Sequence, residues 1–171
     1  MQAPPSWSET RRGRVWSDEH DVPGTKSFAV RAVRAGGASM HRLGLSESVL
    51  VFPEHRVFLG DEPLNEAVAR LRRTVPEKKL VIEATSLDAA LAACHVGFDV
   101  VQTERFSAAE IARLVDALST GAARPLIAAA GGITVDNAAA YARAGADILV
   151  TSAPYLARRR DVAVSINRTQ R

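Results

Sequence analysis

Two apolar rhythms take turns along this chain. In "PLNEAVARLRRTV" Leu64, Val68 and Leu71 recur at helical spacing, and the following "KKLVIEA" is a short continuous apolar run of the kind that forms a strand. The exchange repeats. "SLDAALAACHVG" opens on Ser86, a good N-cap, and closes on Gly97; "DVVQTE" is then short and β-branched. "SAAEIARLVDAL" carries Ser107 with Glu110 three residues later, the spacing of a capping box, and leads into "PLIAAAGG". "TVDNAAAYARAG" and "ADILVTSA" form the last clear pair.

The N-terminal third is less regular. The rhythm predicts a loose arm over 1–14, rich in Pro, Ser and Arg, with structure starting at "RVWSD". Lys26 to Gly36 reads as a helix that gathers Phe28, Val30, Ala32 and Val33 and stops at Gly36-Gly37, and "SESVLVF" supplies another apolar run. Strands alternating with helices through short Gly, Pro or Ser turns imply parallel βαβ units. About six strands are expected, where a complete eight-stranded barrel takes about 250 residues. The expected fold is therefore α/β: an incomplete, open TIM-like β/α barrel of about six parallel strands, spanning 15–167 with a short tail over 168–171.

Composition narrows the picture without redirecting it. A chain of 171 residues with 47% hydrophobic content can bury an ordinary core as one domain. Its formal charge of +3 gathers near the ends, in Arg11 to Arg14 and Arg158 to Arg160, with no aromatic-interleaved basic stripe; nucleic acid is not the expected partner. No stretch approaches a membrane span and no secretory h-region opens the chain, so a cytoplasmic setting is expected. The single cysteine, Cys94, reads as a buried helix thiol.

In a parallel α/β sheet, chemistry gathers at the carboxyl ends of the strands. Those ends present Glu83, Glu104, Gly131 with Gly132, and Thr151, Ser152 and Ala153. Two glycines before a helix N-terminus allow close backbone approach and suit a phosphate, and the small residues of "TSA" one strand later add to that seat. Glu83 and Glu104, on successive strands, can hold Mg²⁺ with a polyphosphate or stabilise positive charge at a sugar carbon. "MHRLGLSESVLVFPEHR" adds His41 with Arg42 and His55 with Arg56, arginine forks being suited to carboxylate or phosphate. A zinc H-x-x-E-H pattern is absent, and His95 reads as structural.

Taken in order, "PGTKSFAVRAVRAGGASMHRLGLSESVLVFPEH", "VIEATSLDAALAA", "AAGGITVDNAAAYARAGADILVTSAPY" and "DVAVSI" resemble the quinolinate phosphoribosyltransferase family, most closely its ModD branch. The resemblance runs over about 15–167. It implies the barrel-like half of a two-domain enzyme that transfers ribose 5-phosphate from phosphoribosyl pyrophosphate to the nitrogen of quinolinate, with Mg²⁺, releasing pyrophosphate and CO₂. By position it implies that His41 and Arg42 bind the substrate carboxylate and that Glu83 faces ribose and metal. Glu104 stands where the family usually has aspartate. Gly131, Gly132, Thr151, Ser152 and Ala153 match the loops that hold the 5-phosphate. It further implies a dimer in which an N-terminal lid domain covers the neighbouring site, so a homodimer or a separate lid chain is an expected partner.

Three positions depart from that pattern. Glu19 and His20 occupy places where the family carries an arginine and a lysine, and Phe52 stands where a lysine usually lies, a change shared with the ModD branch. Two functions are therefore carried forward. One is a ModD-type phosphoribosyltransferase acting on a pyridine carboxylate-like acceptor. The other is a non-catalytic relative that keeps the phosphate cup and binds a sugar phosphate or a partner chain.

Overall fold

The computed structural model describes residues 14–17, 24–44, 46–119, 124–156 and 163–167. The expected arm before Arg14, the departures at Glu19 and His20, Arg158 to Arg160 and the tail over 168–171 lie outside them.

Strand β1 (Arg14–Ser17) is followed by helix α1 (Lys26–Ala35) and the two-residue strand β2 (Ser39–Met40). Next come β3 (Ser48–Val51), the one-turn α2 (Pro53–Arg56) with a 3₁₀ turn (Val57–Leu59), and α3 (Leu64–Thr74). The regular part then runs β4 (Lys79–Ala84), α4 (Leu87–His95), β5 (Val100–Glu104), α5 (Ala108–Leu118), β6 (Leu126–Ala130), α6 (Val135–Arg143) and β7 (Ile148–Thr151). All pairings among the described residues are parallel, in the order β2-β1-β7-β6-β5-β4-β3. Among the described residues the sheet has seven strands, an open, incomplete barrel as expected, with one strand more than the six or so anticipated. The additional strand, β2, is too short to show any periodicity and exists through its pairing of Ser39 and Met40 with Trp16 and Ser17. β1 also begins at Arg14, inside the expected arm.

The sheet is strongly curled, and chain connectivity requires it. β2 and β3 are its opposite edges, yet only residues 41–47 join them. In a flat sheet six strand spacings would separate those edges by about 29 Å, nearly the full reach of such a linker, and this one spends part of its length on a turn in which Glu47 N–H donates to Gly44 O. Curling divides each strand by its two-residue period. Leu80, Ile82, Val101, Ile127 and Leu149 face outward into the core formed with Ala90, Ile111, Leu114 and Ala138 of the helices. Leu50, Val81, Val100, Ala128, Ile148 and Val150 face inward and pack with Trp16 and Phe52. The result is a half-barrel with helices on its convex side.

The amino ends of the strands are tied by a repeated device. Asp99, before β5, donates its N–H to Leu80 O at 2.9 Å, and its carboxylate accepts Leu80 N–H at 2.8 Å. Asp147, before β7, does the same to Ile127, at 2.9 and 2.8 Å. Cations complete both clamps: Arg72 and Lys79 on Asp99, and a two-pronged Arg124 on Asp147 at 2.5 and 3.1 Å. Helix α1 forms where its pattern predicts and stops at Gly36, but none of its residues is buried, and Phe28 is exposed. Among the described residues, its apolar side joins neither core cluster.

Candidate functional site

The carboxyl ends of the strands enclose a cleft of about 820 Å³. Period-two alternation decides who faces it. On β5, Val100, Gln102 and Glu104 share the inner face, with Val100 at the floor and Glu104 at the rim. On β4 the same logic brings Glu83 into the cleft. The ladder sets Glu83 level with Gln102, and Glu104 level with Ala130. The two glutamates are thus offset by one strand spacing sideways and two residues lengthwise, about 8 Å between Cα atoms.

A polar chain crosses the floor. Gln102 is buried, at 6% exposure; its Nε2 donates to Glu83 Oε2 at 3.2 Å, and its Oε1 lies 3.0 Å from His41 Nε2. β2, which leads into His41, is four strands away from β5 in the sheet order, or about 19 Å on a flat sheet. Their contact is a direct measure of the curl. Trp16 packs edge-on against the His41 ring, with centroids 5.2 Å apart and planes at 89°.

The rim is built around the β6–α6 turn. Gly131 and Gly132 hold φ of +80° and +78°, and Arg105 at the end of β5 holds +57°. A Cβ at Gly131 would lie 2.6 Å from Glu104 Oε1 and 2.8 Å from Arg105 N. Glycine is needed there for conformation and for room. Arg105 N–H donates to Ala130 O at 2.9 Å, and the Arg105 side chain, 85% exposed, lies 3.4 Å from Glu104. The helix that follows is capped from within: Thr134 N–H donates to Asn137 Oδ1, and Asn137 Nδ2 donates to Gly132 O.

Of the residues expected to form a site, His41, Arg42, Glu83, Glu104, Gly131, Gly132 and Ser152 line this one cleft. Thr151 does not. Its side chain is buried, donating to Ile133 O at 2.7 Å and accepting Ala153 N–H at 3.0 Å. Thr151 and Ala153 therefore join the two rim turns to each other. His55 stands apart from the cleft lining, with its Nδ1 accepting Phe52 N–H at the start of α2. His95 Nδ1 is 2.6 Å from Leu91 O on its own helix. Cys94 is partly buried against the helical core, and burial pushes its thiol up to about 11. Gln102 escaped the sequence reading, although a polar residue two before Glu104 in an otherwise β-branched run was its signal.

Among the described residues, no group of three or more His, Cys, Asp or Glu side chains is placed to hold a metal ion. Glu83 and Glu104 are hard oxygen donors, and Mg²⁺ commonly takes one or two carboxylates and completes its shell with substrate phosphates and water. The donor set fits that mode. Among the same residues no helix is long and apolar enough to cross a membrane.

The family model described as quinolinate phosphoribosyl transferase, C-terminal domain, matches residues 8–165. The protein named pyrophosphorylase ModD in Rhodobacter capsulatus is 48% identical over 124 residues, covering 72% of this chain and 48% of that protein. The nicotinate-nucleotide pyrophosphorylase (carboxylating) of Mycobacterium leprae is 27% identical over 151 residues, covering 86% of this chain and 52% of its own. Among solved structures, NadC from Streptococcus pyogenes superposes with a TM-score of 0.74 at 24% identity, over 84% of this chain and 49% of that one. At that identity the likeness speaks for the fold. The chain spans about half the length of the curated relatives it matches.

Proposed function

The chain belongs to the quinolinate phosphoribosyl transferase family, as its C-terminal domain, and on that premise we propose that its cleft binds phosphoribosyl pyrophosphate and transfers ribose 5-phosphate to a nitrogen of a pyridine carboxylate-like acceptor. One observation carries the reading: a glycine turn, two offset carboxylates and a His-Arg pair converge on a single cleft. Gly131, Gly132 and Ser152 seat the 5-phosphate; Thr151 and Ala153 hold that seat in shape from behind. Arg42, beside His41, takes the acceptor carboxylate.

In the transfer, the bond from C1′ to the pyrophosphate oxygen breaks and the electron pair leaves with pyrophosphate. The lone pair of the acceptor nitrogen forms the new C1′–N bond. Positive charge develops at C1′ between those events, and fixed carboxylates in a partly enclosed cleft stabilise it. Glu83 and Glu104 take that role. Glu83 and Glu104 would also hold Mg²⁺ together with the substrate phosphates, and the ion would supply neutralising charge for the leaving pyrophosphate. The protein's larger contribution is to hold both reactants in line.

A binding role without turnover has its own support. Arg42 and Arg105 in the cleft are matched by Glu83 and Glu104, and Phe52 offers no charge to two strongly anionic substrates. Calorimetric titration with phosphoribosyl pyrophosphate and Mg²⁺, followed by assay of pyrophosphate release with quinolinate and related acids, separates the readings. Saturable binding with acceptor-dependent release is the expected result. Binding without release selects the second reading, and no binding overturns the proposed transfer.

A further inference from the structure

We propose that Gln102 is a positioning residue that sets the direction of hydrogen bonding across the cleft, holding Glu83 as an acceptor and His41 as its Nε2–H tautomer. The argument starts from burial. A primary amide at 6% exposure, on an inner strand face whose neighbours include Val100 and Ala128, is expensive to bury unless both of its ends are bonded. Both are: Nε2 meets Glu83 Oε2 at 3.2 Å and Oε1 meets His41 Nε2 at 3.0 Å.

The order of donors and acceptors is then forced. An ionised carboxylate only accepts, so the amide NH₂ must point to Glu83 and the amide oxygen to His41. That oxygen in turn accepts only, so the His41 nitrogen facing it carries the proton. In the neutral ring this leaves Nδ1 without a proton, and the edge-on packing of Trp16 opposes a flip of the ring. Glu83 lies one strand from Gln102, whereas His41 follows a strand four positions away. One buried amide therefore couples the carboxylate on the ribose side to the histidine on the acceptor side, an assignment of sides that rests on the function proposed above.

The test uses the whole chain with ¹⁵N-labelled histidine at about pH 8.5, where an ordinary imidazole is neutral. Long-range ¹H–¹⁵N correlation reads which ring nitrogen carries the proton, His41→Gln identifies the His41 signals, and His55 and His95 act as internal references. Nε2–H for His41 in the wild type, turning to a mixture of tautomers in Gln102→Leu, is the expected result. Nδ1–H in the wild type, or an unchanged Nε2–H in Gln102→Leu, overturns the proposal. Wild-type spectra alone can overturn it, even where Gln102→Leu fails to fold, and Gln102→Met gives a second variant of nearly unchanged volume. In a titration with phosphoribosyl pyrophosphate and Mg²⁺, Gln102→Met is expected to weaken binding about tenfold through loss of the hold on Glu83; an unchanged affinity contradicts the positioning of Glu83. Wild-type protein that shows the Nε2–H tautomer and binds no phosphoribosyl pyrophosphate would leave the tautomer assignment standing and sink the proposed function.

Discussion

The two ends of this half-barrel both carry carboxylates, and the two sets are treated in opposite ways. At the amino ends, Asp99 and Asp147 are each locked by the N–H of a strand residue and by arginine or lysine. At the carboxyl ends, among the described residues, Glu83 accepts from the side-chain amide of Gln102, Glu104 lies beside the largely exposed Arg105, and both open on a cleft. A carboxylate bonded to strand N–H groups serves the sheet, because its loss leaves buried donors unsatisfied. A carboxylate on the inner face of a strand end, open to a cleft, is placed where a ligand can reach it.

The comparison is broken most easily at Asp147. Asp147→Ala removes the partner of Ile127 N–H and strands Arg124, and is expected to destabilise the fold by about 3 kcal/mol. Thermal unfolding should show a fall of roughly 6–12 °C; a change within 2 °C or so would mean that the clamp is ornamental. Gly131→Ala, at the other end, places a methyl group 2.6 Å from Glu104 Oε1 at φ +80°, so a loss of about 2 kcal/mol is expected. It should be accompanied by a loss of phosphoribosyl pyrophosphate binding of tenfold or more by calorimetry.

Acid sharpens the contrast further. Burial pushes the Asp99 carboxyl up, but the Leu80 N–H, the Lys79 and Arg72 hydrogen bonds and the Arg72 charge outweigh it and hold the group below its usual range. A depressed folded-state pKa means that the clamp's contribution is complete above the ordinary aspartate value of about 3.9 and is lost as pH falls through the lower folded value. Urea unfolding from pH 5 down to about 2 should therefore show a decline that is shallower in Asp99→Asn, which starts less stable. Equal slopes would remove the clamp from the account. The smallest effect on stability is expected for Glu104→Gln, within about 0.5 kcal/mol of wild type.

The same division explains what could be read along the chain. Strands β4 to β7 were legible because runs such as "LVI", "VV" and "ILV" are apolar on both faces, the mark of a parallel sheet covered by helices. Ser107 and Glu110 declared the start of α5, and the observed capping box follows them. β2 was not legible, because two residues carry no period. Thr151 could be placed at a strand end, but only the turn of the strand decides that its hydroxyl ties the rim together from behind. Gln102 needed the curl of the sheet, since its partner His41 is 61 positions away in sequence. The amino-end clamps did leave a trace: Gly97-Phe98-Asp99 and Gly145-Ala146-Asp147 repeat one Gly-x-Asp pattern before β-branched residues, with both glycines at φ +98°.

One measurement joins the two ends: the shift in thermal unfolding temperature on adding phosphoribosyl pyrophosphate with Mg²⁺, read for wild type, Asp147→Asn and the double variant Glu83→Gln, Glu104→Gln. Ligand at about a hundred times its Kd stabilises the wild type by about 2.7 kcal/mol. The account predicts that Asp147→Asn starts lower and keeps that upward shift, whereas the glutamate variant starts near wild type and loses it. A wild type that does not shift, or a glutamate variant that shifts as fully as wild type, would contradict the claim that the carboxyl-end carboxylates are there for a ligand.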